Sequence, residues 1–136
     1  MKERKYKMKN KSLEEFVRKA QRILEEKKVR KHRNLYIGAL DQEIEIESLT
    51  DEEIEEWLSY EDKNRQDAYL CYLGSPSLRE LAEELKNLGY LAQDTQVADI
   101  LPGKDKLEIG KQILELSGMF AKTTVREVEH SDDQRE

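Results

Sequence analysis

Apolar residues recur at intervals of three and four along much of the chain, which is the spacing of amphipathic helices. The first such segment follows Ser12 and Glu15, whose separation is that of a capping box. The sequence therefore predicts a helix that begins at Ser12 and carries one apolar face. That face is made of Leu13, Phe16, Val17, Ala20, Ile23 and Leu24.

The period changes from three or four residues to two between positions 28 and 48. The alternation is clearest over "EIEIE" at 43–47, and Gly38 interrupts the pattern upstream. Alternation of this kind is typical of a strand with one buried face. The segment therefore predicts either two short strands or one strand with an extended arm.

Helical spacing returns after Thr50 and Glu53, which form a second capping box ahead of an apolar face at Ile54, Trp57 and Leu58. A third helix is predicted over 63–73. It ends at "GSPS", because Pro76 prevents simple continuation of a helix.

A fourth helix is predicted to open with Ser77 and Glu80. Its apolar positions are Leu78, Leu81, Ala82, Leu85 and Leu88. A short helix over 93–100 then leads into the last one. Pro102 suits the first turn of that last helix, since its missing N–H would have no partner there, and Asp105 with Glu108 offers an alternative start.

Two glycines are placed where helices end in a left-handed residue. Gly118 would bring Leu114 and Met119 together in a Schellman cap, and Gly89 would do the same for Leu85 and Tyr90. Such caps fix the direction in which the chain leaves the helix.

These elements predict a mainly α fold, a compact bundle of about five or six short helices with a small N-terminal β-hairpin or extended arm. The 136 residues, 37% of them hydrophobic, suit a single domain with a modest core.

No apolar run approaches the roughly 18 residues that cross a bilayer, and the basic N-terminus lacks the apolar stretch of a signal peptide. Cys71 is the only cysteine, which excludes an internal disulfide and fits a reducing cytosol.

Charge is distributed unevenly along the chain. Residues 1–36 hold 14 Lys or Arg against 5 acids, whereas residues 37–136 hold 10 against 25. One interpretation is a basic arm that contacts nucleic acid or an acidic partner. The other, a solubilising segment beside an acidic domain, is favoured because no aromatic interleaving and no DNA-reading motif accompany the basic residues.

Residues that could support catalysis or metal binding are few. His32 and His130 are far apart and not at a metal-ligand spacing, and Cys71 within "AYLCYL" is typical of a buried core thiol. The acidic run "TDEEIEEW" has the spacing of a solvated helix face opposite Ile54 and Trp57. The six glycines are scattered rather than gathered in a phosphate-binding loop. We therefore expect no catalytic, cofactor or metal site and no enzyme activity.

The order of features resembles that of a known family. A "SLEEF" helix, a Lys-rich segment, "IEIESLTDEEIEEW", a Tyr- and Leu-rich helix, "SPSLRELAEELKNLGY" and "DILPGKDKLEIGKQILELSGMF" together resemble the XkdN-like tail assembly chaperones of long-tailed phages and prophages. The resemblance covers roughly residues 12–120. Its most specific parts are "LPG" at 101–103 and "LSG" at 116–118, and the basic leader 1–11 has no counterpart.

The resemblance implies a non-enzymatic protein of the bacterial cytoplasm that binds the tape measure protein and keeps it soluble while the tail tube assembles. The major tail tube protein and a second copy of this chain are further candidate partners, and neither a membrane nor a nucleic acid is expected. We expect a flexible basic leader (1–11), one domain (12–120) and a flexible polar tail (121–136). The tail would serve as a joint to a segment appended by ribosomal frameshifting.

The expected binding mode is helix-in-groove, in which an amphipathic partner helix lays its apolar stripe between short helices of the domain. The candidate groove residues are the large side chains that a small core need not absorb. They are Trp57, Tyr69, Tyr72, Tyr90 and Phe120. The alternative is that these side chains simply belong to the core.

Overall fold

The protein is mainly helical with one two-stranded antiparallel hairpin near the N-terminus, as the sequence predicted. The structure, a computed structural model, describes residues 10–128, with side chains from residue 12. The elements in chain order are α1 (Asn10–Lys27), β1 (His32–Ile37), β2 (Gln42–Glu47), α2 (Asp51–Leu58), a 3₁₀ helix (Lys63–Arg65), α3 (Gln66–Gly74), α4 (Pro76–Asn87), a second 3₁₀ helix (Asp94–Ile100) and α5 (Gly103–Leu116).

Of the two interpretations for residues 28–48, the hairpin is correct. Leu35 pairs with Ile44 and Arg33 pairs with Ile46. Ile37, Ile44 and Ile46 are buried, so one face of the hairpin covers the helices. This explains the alternation of isoleucine and glutamate in the sequence, because successive side chains of a strand point to opposite faces.

The core lies between this hairpin face and helices α3, α4, α5 and the second 3₁₀ helix. Its largest fully buried apolar side chains are Ile46, Leu78, Val97, Ile109 and Ile113. Helices α3 and α5 approach closely where each has a glycine. A Cβ on Gly74 would lie 2.5 Å from Cδ1 of Ile113, and one on Gly110 would lie 2.9 Å from Cδ2 of Leu70.

Three predicted helix starts are wrong by one to three residues. The first helix begins at Asn10, so Ser12 lies inside it rather than capping it. Helix α4 begins at Pro76, and its cap is Ser75, whose hydroxyl accepts from the N–H of Leu78 at 3.2 Å. Proline at the first helical position needs no hydrogen-bond acceptor for its nitrogen, which is why the helix starts there instead of at Ser77.

The last helix begins at Gly103, with Pro102 as the residue before it rather than inside its first turn, and not at the alternative Asp105. The predicted helix 63–73 is divided into the first 3₁₀ helix and α3.

Residues 121–128 form neither helix nor strand. Residues 1–9 of the predicted leader and 129–136 of the predicted tail lie outside the described residues.

The two serines of "GSPS" form hydrogen bonds with the backbone of β2 at its outer edge. The Ser75 hydroxyl donates to the carbonyl of Glu45, and the N–H of Glu45 donates to the Ser77 hydroxyl, both at 2.8 Å. The N–H of Leu49 donates to the Ser117 hydroxyl at 2.8 Å. Backbone groups that a third strand would otherwise pair are thus satisfied by side chains at helix ends. The sequence interpretation took this stretch only as the end of one helix and, at Ser77, the start of the next.

A partly buried charge network joins the hairpin to the helices around Glu47, whose side chain is 11% exposed. Glu47 accepts from Arg79 at 3.1 Å and lies 3.5 Å from Arg30, which also pairs with both carboxylate oxygens of Glu53. Burial alone would raise the pKa of Glu53, but hydrogen bonds from Arg30 and Thr50 outweigh it, so the pKa of Glu53 is lowered.

Both predicted Schellman caps are present. Gly89 and Gly118 have positive φ, 86° and 82°. The N–H of Tyr90 donates to the carbonyl of Leu85 at 2.9 Å, and the N–H of Met119 donates to that of Leu114 at 3.0 Å. The chain therefore turns after α4 and after α5 at a residue in the left-handed conformation. Glycine adopts this conformation without steric cost.

We expect Gly118→Ala to lower the free energy of unfolding by about 1 kcal/mol, because a Cβ is unfavourable at positive φ. A new methyl group would meet no atom within 4 Å at this site, so backbone strain is the whole effect. Gly103→Ala is the matched control, since its Cβ would also enter open space. Equal urea midpoints for the two variants would contradict the left-handed cap.

Candidate partner-binding groove

The five aromatic residues named from the sequence lie in different surroundings. Trp57 and Phe120, 63 positions apart in the chain, line one groove. Tyr69 stacks on Tyr60 with ring centroids 4.2 Å apart and donates to the carboxylate of Glu56. Burial, followed by this hydrogen bond, raises the pKa of Tyr69.

The other two aromatic candidates lie outside the groove. Tyr72 is half-buried against the core. Tyr90 is 77% exposed beside the cap of α4. Neither of them, nor Tyr69, contributes to the groove lining.

The groove, which we call the Trp57–Phe120 groove, runs between α2, α3 and α5. It encloses about 470 Å³ and is open to solvent. Its apolar lining comes from Trp57, Leu70, Leu107, Leu114 and Phe120. Leu107 is 62% and Phe120 is 59% exposed, so large apolar surface faces water here. Exposed apolar surface of this kind, rimmed by polar residues, marks interaction sites.

Trp57 is held by two reciprocal hydrogen bonds. Its indole N–H donates to the carbonyl of Gln66 at 3.0 Å, and the amide of Gln66 donates to the carbonyl of Trp57 at 3.0 Å. The polar end of the indole is therefore satisfied inside the domain, and its apolar surface is available to the groove.

The end of α5 places Phe120 at the groove. Gly118 turns the chain, and Ser117 donates to the carbonyl of Ile113 at 2.7 Å while accepting from Leu49. The "LSG" motif thus combines a glycine in the left-handed conformation with a serine hydroxyl that hydrogen-bonds the segment after β2. Together they fix where the aromatic ring following the motif can lie.

Sequence reasoning missed the leucines of the groove. Leu107 and Leu114 lie on α5 seven residues apart, and this spacing places them on one helix face. Periodicity alone cannot separate them from Ile109 and Ile113, which belong to the buried core. Only the packing of α3 against α5 decides which apolar side chains remain outside.

Helix α1 presents a second apolar surface. Its apolar side chains are between 47% and 60% exposed, so the described part of the chain leaves the predicted apolar face largely uncovered. Those side chains include Leu13, Phe16, Val17, Ile23 and Leu24. Near its C-terminus, Lys27 pairs with Asp51 at the start of α2 at 3.1 Å.

Neither Cys71 nor His32 lines the groove. Cys71 is fully buried, as predicted, and burial raises the pKa of its thiol to about 12. His32 lies 2.6 Å from the carboxylate of Glu45 on the neighbouring strand, and His130 lies outside the described residues. Within residues 12–128 no group of three or more His, Cys, Asp or Glu side chains is arranged to hold a metal ion.

No helix in the described part of the chain is both long and apolar enough to cross a membrane.

The chain matches no family model, no curated protein and no solved structure in comparisons with known proteins.

Proposed function

We propose that this protein is a tail assembly chaperone of the phage or prophage type, which binds an apolar stripe of the tape measure protein in the Trp57–Phe120 groove. The observation that supports the proposal is this open groove with two large, solvent-exposed apolar side chains, Leu107 and Phe120. A groove of this kind suits the apolar face of an amphipathic helix. The resemblance of residues 12–120 to the XkdN-like family supplies the identity of that helix.

The groove also suits a chaperone's need to release its client. Its apolar lining is shallow and open, and the burial of each Å² of apolar surface contributes roughly 25 cal/mol. Release when tube subunits compete would follow from such a surface.

The alternative, a nucleic-acid-binding protein that uses residues 1–36, has less support. Arg30 pairs with Glu53 and Glu47, and Arg33 pairs with Glu115 at 3.3 Å and Gln112 at 2.8 Å. Helix α1 contains four acidic residues beside its five basic ones, so its net charge is close to neutral. Two of the basic side chains after α1 therefore serve contacts within the domain.

The salt dependence of binding separates the two functions. We expect the full chain to keep its cognate tape measure protein in the soluble fraction on co-expression, and a pull-down to retain it at high salt. Deletion of residues 1–9, which leaves α1 whole, is expected to preserve capture. Complete loss of capture at high salt or after this deletion would favour the basic arm and overturn the groove model.

A further inference from the structure

The Trp57–Phe120 groove carries the opposite charge to the domain around it. Lys63, Lys106 and Lys111 line the groove, and Asp67 is the one acidic lining residue within the described part of the chain. Residues 37–136 as a whole hold 10 basic and 25 acidic residues. Three of the 10 basic residues are thus gathered at one apolar surface.

These lysines come from two walls of the groove. Lys63 belongs to the first 3₁₀ helix, and its ammonium donates to the carbonyl of Leu58 at 2.9 Å. Lys106 and Lys111 belong to α5. The ammonium of Lys106 already forms an ion pair with the carboxylate of Asp99, at 3.6 Å. Lys111 is exposed and forms no ion pair within residues 12–128.

We propose that the groove selects an amphipathic helix whose apolar stripe is flanked by aspartate and glutamate. The stripe would enter the apolar lining, and the flanking carboxylates would approach Lys63 on one wall and Lys111 on the other. Complementary charges at the rim of an apolar contact mainly set partner choice. This inference rests on the proposed function and names the chemistry of the tape measure segment that the groove accepts.

Helix α1 of a second copy is the competing occupant, because it too is amphipathic and exposed. Residues 10–27 contain five basic and four acidic side chains, a nearly neutral balance. A nearly neutral helix gains little from three lysines. Charge complementarity therefore favours an acidic partner over a second copy.

The binding of synthetic peptides to the full chain tests this preference for an acidic helix. The fluorescence of Trp57 serves as the readout, because Trp57 is the only tryptophan of the chain. Three synthetic helical peptides without Trp or Tyr would share one leucine stripe and carry Glu, Gln or Lys beside it. A fourth peptide would be residues 10–27 of this chain. We expect the Glu peptide to bind about tenfold more tightly than the Gln peptide at low salt, and the Lys peptide to bind most weakly.

The double variant Lys63→Gln/Lys111→Gln should abolish the preference, so that the Glu and Gln peptides bind it with similar affinity. Lys31→Gln/Lys86→Gln removes the same charge outside the groove and should leave the preference intact. Equal binding of the Glu and Gln peptides, or tightest binding of the 10–27 peptide, would overturn the inference while leaving the groove a binding site. Binding of none of the four would overturn the groove itself and the proposed function with it.

Discussion

Gly74→Ala is expected to lower the free energy of unfolding by about 3 kcal/mol, the largest effect expected at any of the six glycines. The new Cβ would lie 2.5, 2.6 and 2.8 Å from three side-chain atoms of Ile113. Ile113 is fully buried, so its side chain can move away only against other core residues. Overpacking of a close helix contact typically costs 1–3 kcal/mol, and three simultaneous clashes place this case at the upper end.

Urea unfolding measures the effect, and Gly38→Ala is the control, since its Cβ would meet nothing within 4 Å. That control should change stability by less than about 0.5 kcal/mol. Ile113→Ala removes all three clashing atoms. The double variant Gly74→Ala/Ile113→Ala should therefore lose at least about 1 kcal/mol less than the sum of the single variants. Strict additivity would mean that α3 and α5 do not meet at these residues.

Glu47→Ala is expected to lower the free energy of unfolding by about 2 kcal/mol. The change leaves Arg79 without its carboxylate partner and leaves Glu53 as the one carboxylate that pairs with Arg30. Removal of one partner from a buried ion pair typically costs 3–5 kcal/mol. The expected value is smaller here because the two arginine side chains are 33% and 35% exposed and water partly replaces the lost contact.

Glu43→Ala is the matched control for this variant. Glu43 lies on the same strand but is exposed, so its loss should change stability by no more than about 0.5 kcal/mol. Thermal or urea unfolding of the two variants side by side is the measurement. Similar losses for both would show that Glu47 acts only through the strand propensity of its position.

Elements defined by short-range signals could be predicted from the sequence. The capping box of Thr50 with Glu53 and the left-handed caps at Gly89 and Gly118 follow from residues within a few positions of each other. The Ile44 and Ile46 alternation likewise identifies a strand. The predicted start of α4 was wrong because Ser75 and Ser77 are both possible caps, and both hydroxyls also bond to Glu45 of β2, so local sequence does not distinguish them.

The groove was less predictable because it depends on long-range packing. Trp57 and Phe120 were named from their size, but Tyr69 and Tyr72 were named for the same reason and lie elsewhere. The missing information was the approach of α3 to α5 at two glycines, which leaves Leu107 outside the core. No local pattern encodes that approach, since Gly110 looks like an ordinary weak point in a helix.

We propose that the Trp57–Phe120 groove binds the tape measure protein. The most direct test of this proposal is co-expression of that protein with the double variant Leu107→Asp/Phe120→Asp, which alters two exposed side chains and should leave the fold intact. Leu88→Asp is the control, an equally exposed leucine outside the groove. We expect the tape measure protein to stay soluble with the unmodified chain and with the control and to precipitate with the double variant. A soluble tape measure protein in the presence of the double variant would contradict the account.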